Sequence, residues 1–362
     1  MRLKNGNWSG FNDGDGFMKN NVDITFHPSW FHKYAGVEFD EKFFFDAKYR
    51  VMADQEMRRT LYEYFGDFGI GEHNPKPRPI LFSDLLACGF LHSQLLGCEV
   101  VFQKDNAPQV LCANIREQDI SALTSPELDR HPLWQKIQVQ IEYLIKEYGY
   151  VESAINLMGI QNIALDLRGE NFFYDCFDEP ELADKLLTVI TDLSIDIGER
   201  LYAVSSIVSG GVTSIVKQVC PPVYLTSNCS VAMISDSQYR EQLLKHDIRL
   251  ANRFPCFGIH HCGSNTEKYI HEYLKVPNLT FLEIGAGSDL SVIANAMADT
   301  EILSCIRYSP VALKSSTVET IKNDTEHALT AFGGDTRLCF SCVGIDADTP
   351  HDQVRNYLSV FR

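Results

Sequence analysis

The chain has 362 residues, 45% of them apolar and 22% charged, the balance of a soluble globular protein with a sizeable core in one large or two ordinary domains. Its formal net charge of −16 argues against nucleic acid or an anionic membrane as the main partner, and no run approaches the about 18 consecutive apolar residues of a membrane span. The opening MRLKNGNWSGFNDGDGF has no apolar segment of signal-peptide type, and the eleven cysteines then read as reduced thiols in a cytoplasm poor in oxygen, most of them small core residues.

Residues 1–77 are irregular, aromatic and acidic, with one or two helices and a loop, and are expected to form an extension packed on the main domain. The break is the proline-rich run from Glu72 to Pro79, where alternating prolines favour extended backbone. From residue 78 onward strand-like and helix-like stretches alternate. The strands are expected at 79–82, 109–112, 150–157, 212–216, 256–261, 279–284, 301–306 and 337–343. Helices fill the gaps, most clearly at 179–206, where Pro180 stands near the start and Leu182, Leu186, Leu187, Ile190 and Leu193 recur at helical spacing. Others are expected near 236–252, 264–275, 288–298, 316–331 and 350–361. Such alternation means βα units on a parallel sheet. About eight units over some 285 residues fit an α/β fold of the (β/α)8 TIM-barrel class. No Gly-x-Gly-x-x-Gly turn or phosphate loop supports an open doubly wound sheet.

In such a barrel chemistry gathers where strands end. The run Gly258-Ile259-His260-His261-Cys262-Gly263 ends one strand. If its side chains alternate faces, His260 and Cys262 point one way and His261 the other. An imidazole beside a thiolate suits zinc better than magnesium or calcium. A third ligand is expected from Cys342 or Cys339 in the last strand. Cys342 shares a face with Phe340 and Leu338, Cys339 with Ser341, and Cys342 lies nearer the strand's C-terminal end and is favoured. Glu283 ends the 279–284 strand and Tyr308 follows the 301–306 strand. These two are the candidate catalytic side chains, with Glu283 also a candidate fourth ligand. Arg168, in Asp166-Leu167-Arg168-Gly169-Glu170, could hold a carboxylate or phosphate, or pair with its own acidic neighbours. Asn228 and Cys229, in Thr226-Ser227-Asn228-Cys229-Ser230, are further candidates for lining the cofactor pocket. Two thiolates nearly cancel a Zn2+ charge, which leaves a bound substrate thiolate electron-rich and favours alkyl transfer to sulfur over hydrolysis.

His260-His261-Cys262-Gly263 resembles the H-x-C-G strand end of the uroporphyrinogen decarboxylase superfamily, in its corrinoid-dependent methyltransferase branch. Leu167-Arg168-Gly169-Glu170 followed by Asp178-Glu179-Pro180-Glu181, Ile234-Ser235 with Tyr239, and Cys342-Val343-Gly344-Ile345-Asp346 with Thr349-Pro350 resemble further pieces in the same order. The likeness covers about residues 78–362. It implies a (β/α)8 barrel and a zinc ion held by His, Cys and a late Cys. That zinc activates a thiol to accept a methyl group from a methylcobamide on a separate corrinoid protein. His260 and Cys262 match the first two ligands. The usual third cysteine stands where Val343 stands here, one residue past Cys342, and a one-residue shift on a strand flips the side chain. The decarboxylase itself is not expected, because the region of Arg78 to Asp84 carries one arginine where a porphyrinogen with its many carboxylates needs several. The expected partners are a small thiol and a corrinoid protein, with tetrahydrofolate as another acceptor and a homodimer as the assembly considered. The alternatives are a corrinoid-independent zinc lyase or decarboxylase-like enzyme, or a non-catalytic small-molecule or corrinoid-binding barrel.

Overall fold

The structure, a computed structural model, describes residues 22–205, 215–216, 220, 222–334 and 337–362. Its centre is a curled seven-stranded sheet in which every pair is parallel. In chain order these strands are β1 (Val22–Phe26), β6 (Leu157–Met158), β7 (Tyr224–Ser227), β8 (Phe257–His260), β9 (Leu279–Ile284), β10 (Leu303–Tyr308) and β11 (Leu338–Ile345). In space the order runs β1-β11-β10-β9-β8-β7-β6. Two short pairs accompany it. The strand β2 (Ile80–Phe82) lies parallel to β5 (Glu152–Ala154), and β3 (Val100–Val101) antiparallel to β4 (Gln109–Val110). Helices such as Pro180–Val204, Leu290–Met297, Val318–Ala331 and His351–Ser359 fill the gaps between strands. No helix among the described residues is long and apolar enough to cross a membrane.

The sheet divides its side chains by parity. Leu225, Phe281, Leu303, Cys305 and Cys339 form one apolar cluster with Val223 and Cys256. Strand residues of the opposite parity, Tyr224, Phe257, Ile259, Leu282, Ile284, Phe340 and Cys342, belong to the larger cluster shared with the helices. A strand buried on both faces gives this division, because successive side chains leave opposite sides of the pleat. The concave face thus has a small apolar floor, and the residues two positions further along each strand form the layer above it.

The sequence expectations map closely onto the later strands. The strand expected at 301–306 runs instead through Tyr308, which places Arg307 and Tyr308 inside the ladder. Positions 212–214 of the strand expected at 212–216 lie outside the described residues, and its remaining residues, Ile215 and Val216, are turn and helix, not strand. Besides the short β3, two strands of the seven-stranded sheet were not expected. One is β7, whose four residues precede Asn228. The other is β1, which arises inside the aromatic segment read as an extension and pairs along β11, with Val22 opposite Phe340 and Thr25 opposite Val343. The segment after β1 is aromatic because it is core. Trp30, Phe31 and Phe65 are buried, and Trp30 donates its indole N–H to His351 Nε2 at 3.2 Å. Beyond the sheet, Phe26 also forms a parallel bridge to Leu86, with its N–H on the Leu85 carbonyl at 3.2 Å.

Candidate metal centre

The layer above the apolar floor is polar. Ser227 pairs with His260 on the next strand, and His260 with Glu283 on the one after. These side chains share the concave face. Glu283 is fully buried. Its carboxylate meets His260 Nδ1 in a short hydrogen bond, accepts from Arg307 Nη1 at 3.3 Å and accepts from Ser341 Oγ at 3.3 Å. A carboxylate on Nδ1 fixes the ring and leaves the Nε2 lone pair for a metal, the usual arrangement behind a metal-bound histidine.

Two residues past His260 is Cys262, and just past β7 is Cys229. One ligand atom from each of Cys229, His260 and Cys262 lies within 4.8 Å of the other two, the one such cluster among the described residues. Two soft sulfurs and one imidazole in that space suit zinc, and three protein ligands leave a fourth position for substrate. The adjacent His261 goes the other way, into the helix layer. Its Nδ1 meets the Tyr273 hydroxyl at 2.7 Å, and burial pushes its pKa down to about 4, so it stays neutral.

Charges in the cluster are mutually arranged. Cys262 is pulled well below an ordinary thiol, first by the hydrogen bond from Cys229 and then by His260 and Arg307, against the opposing effect of burial. Cys229 is pushed up because it holds the shared proton. Burial works against a charged His260 ring, but the Glu283 carboxylate and the hydrogen bonds to Cys262 and Glu283 outweigh it and raise its pKa to about 8. Without a metal, the cluster therefore holds a Cys262 thiolate, a Cys229 thiol and a protonated His260 ring.

The remaining expected residues fall elsewhere. Cys342 stands opposite Tyr308 and Ile24 in the ladder and belongs to the helix-side cluster with Phe340 and Ile345. Burial pushes its thiol up to about 12. Cys339 is on the concave face but on the apolar floor, paired with Cys305. The structure thus gathers Cys229, not Cys342 or Cys339, with His260 and Cys262. Tyr308 also faces the helices. It donates to Ser316 Oγ at 2.8 Å and lines a cavity of about 440 Å3 with Ile306, Phe340, Tyr357 and Phe361. Arg168 is engaged by Asp175 through two bonds of 2.7 and 3.0 Å and by the Ile115 carbonyl. Asn228 is buried and donates to Asp247 at 2.8 Å.

Sequence reasoning missed Arg307. Besides Glu283, its guanidinium reaches His260 Nε2 at 3.4 Å and the Val343 carbonyl at 3.4 Å. The signal was present as a lone arginine two residues after Cys305 and four after Leu303, on the parity that faces the concave side.

No protein-family model matches the chain. No curated protein matches it either. Among solved structures, the chain is similar to a methyltransferase from Methanosarcina mazei, with a TM-score of 0.64 at 15% identity, covering 95% of this chain and 96% of that one. A B12-independent methionine synthase from a Shewanella species, in complex with selenomethionine, aligns at a TM-score of 0.43 and 11% identity, over 94% of this chain and 95% of that one. The first likeness establishes a shared fold, the α/β fold that the resemblance in the sequence implied.

Proposed function

We propose that this chain is a zinc-dependent methyltransferase of the uroporphyrinogen decarboxylase superfamily, moving a methyl group between a corrinoid carried on a separate protein and a small thiol. The observation that carries the reading is the cluster of Cys229, His260 and Cys262 at the ends of two neighbouring strands, with Glu283 behind the imidazole. The resemblance of His260 to Gly263 and of the later segments supports the choice of family. The same reading makes the sheet an eight-membered (β/α)8 ring. Two features support closure. β2 pairs with β5, which runs on into β6 across two residues, and Leu86, four residues past β2, bridges Phe26 of β1.

A zinc ion held by Cys229, His260 and Cys262 would supply the cationic centre that keeps an acceptor thiol deprotonated at neutral pH. Cys229 takes the part expected of Cys342, because above the apolar floor that holds Cys339 the late strand presents Ser341 and Val343, not a thiol, on the concave parity. Glu283 holds the Nδ1 proton and orients the ring. Arg307 offsets the Glu283 charge, so the two thiolates are left to balance the cation, and a nearly neutral set leaves a substrate sulfur nucleophilic. The buried strand residues beneath keep water from the lower side of the site.

The test is metal content of anaerobically purified protein, wild type beside Cys229→Ala, His260→Ala, Cys262→Ala and Cys342→Ala. About one zinc per chain is expected, retained only in wild type and Cys342→Ala, followed by corrinoid-dependent methylation of a thiol with methylcobalamin as donor. A wild type that takes up no zinc, or zinc lost in Cys342→Ala but kept in Cys229→Ala, would sink this ligand set.

A further inference from the structure

We infer that Asn162 is the positioning residue that fixes the Cys229 thiol for metal binding, an inference that rests on the ligand set proposed above. Cys229 opens a short 3-10 turn, Cys229–Met233, that follows β7 and has no side-chain cap of its own, and such connections are the mobile parts of a fold. Here one side chain from the helix Ile160–Arg168 spans the loop on both sides of the cysteine. Asn162 Nδ2 donates to the Ser227 carbonyl at 2.7 Å. Its Oδ1 accepts from the Ser230 backbone N–H at 2.9 Å and also from the Ser230 hydroxyl. An amide presents a donor and an acceptor in one plane, so it can bracket the two residues between. An amide does this without adding a charge beside the thiolates.

Neighbouring contacts brace the same turn. Gln161 Nε2 donates to the Ser230 carbonyl at 2.8 Å, and the Gly159 N–H donates to the Ser227 carbonyl at 3.0 Å. Asn228 N–H reaches the His260 carbonyl at 2.8 Å, which ties the loop to the strand carrying the second ligand. A Cβ on Gly159 would lie 2.4 Å from the Ser227 carbonyl oxygen and 2.7 Å from Asn228 Oδ1, so the helix approaches as closely as a glycine allows. The last strand offers no thiol on the concave parity above the floor. The third ligand therefore comes from the 3-10 turn after β7, and a ligand on a connecting turn needs an external brace to be preorganised.

The experiment uses Co2+ as probe on the full chain, reading the dissociation constant and the thiolate-to-cobalt charge-transfer band. Asn162→Ala is expected to weaken binding about 10- to 100-fold, the range for loss of an outer-shell partner, and to reduce the charge-transfer intensity toward that of Cys229→Ser. The apo melting temperature should fall less than the metal-bound one, which a merely structural residue would not produce. Gly159→Ala displaces the same loop from beneath and should give the same spectral change if Asn162→Ala folds poorly. Binding within twofold of wild type with a full charge-transfer band in both variants would overturn the inference while leaving the ligand set intact. A Cys229→Ser variant that binds like wild type, or a wild type that binds neither Co2+ nor Zn2+, would overturn the ligand set and this inference with it.

Discussion

Replacing Glu283 by glutamine separates the two things that carboxylate does to His260. It orients the ring, and it holds a proton there. In the wild type the ring titrates at about 8, so at pH 6 about one ring in a hundred is neutral and metal binding carries a penalty of about 2.7 kcal/mol. At pH 9 that penalty has vanished. In Glu283→Gln the amide oxygen would still accept from Nδ1, but without the charge the burial of the ring dominates and its pKa falls below the ordinary 6.5. The proton penalty at pH 6 then nearly disappears. Cys229 shifts the same way, since Glu283 is among the groups that raise it. Against this stands the loss of an outer-shell carboxylate, typically 10- to 100-fold in affinity, or roughly 1.4 to 2.7 kcal/mol. The two effects nearly cancel at pH 6 and only the loss remains at pH 9. The expected result is a ratio of wild-type to variant zinc affinity that climbs from near one at pH 6 to about 10–100 at pH 9. Chelator competition under anaerobic, reducing conditions measures it. A ratio constant across that range would refute the assignment of the His260 proton to Glu283, and a variant that binds more tightly at pH 9 would refute its supporting role.

Asp247, which accepts from Asn228 beside Cys229, gives a stability test that needs no metal. Burial raises its pKa to about 6 from an ordinary 3.8, despite hydrogen bonds from Tyr239 and Asn228. The folded state therefore holds this proton more tightly than the unfolded chain, and stability is lost as pH rises from about 4 through 6. Asp247→Asn, which can accept both bonds, should gain on wild type by up to about 3 kcal/mol between pH 4 and pH 7. Parallel denaturation curves for the two proteins at all pH values would contradict this. Gly285→Ala would put a Cβ 1.7 Å from the Gly263 carbonyl oxygen, backbone that cannot yield without moving the segment after Cys262. A loss of about 1–3 kcal/mol is expected, with weakened zinc binding, and a variant as stable as wild type would show that the loop repacks freely.

Parity decided most of what the sequence could reveal about the site, and where it was overridden the reading drifted. Alternation within one strand separates His260 from His261, and the structure has them on opposite faces. The same alternation groups Cys342 with Phe340 and Leu338, and an apolar parity is the face that meets the helices. Nearness to the strand end favoured Cys342 over Cys339, but distance along a strand says only how high a residue sits, not which side it leaves. The strand expected to stop at 306 hid the matching pair on β10. Two more residues in the ladder assign Arg307 to the concave side and Tyr308 to the convex one.

What no local pattern held was the origin of the cluster's third member, the Cys229 thiol. β7 is four residues, Tyr224–Ser227, too short for a period to register, and without it Cys229 is one cysteine in a polar loop. The alternating Val-Asp-Ile-Thr-Phe of β1 was legible in principle but embedded in an acidic, aromatic stretch whose aromatics are core, not surface. A parallel barrel-like sheet brings every strand end to one rim. A ligand can therefore move from one strand end to another with no change in the distances that matter to the metal, while its place in the sequence changes by more than a hundred residues. Motif order follows the chain and coordination follows the rim. That is why His260 and Cys262, which share a strand end, could be read together, while Cys229, read from the sequence as a pocket-lining candidate, could be joined to them only in three dimensions.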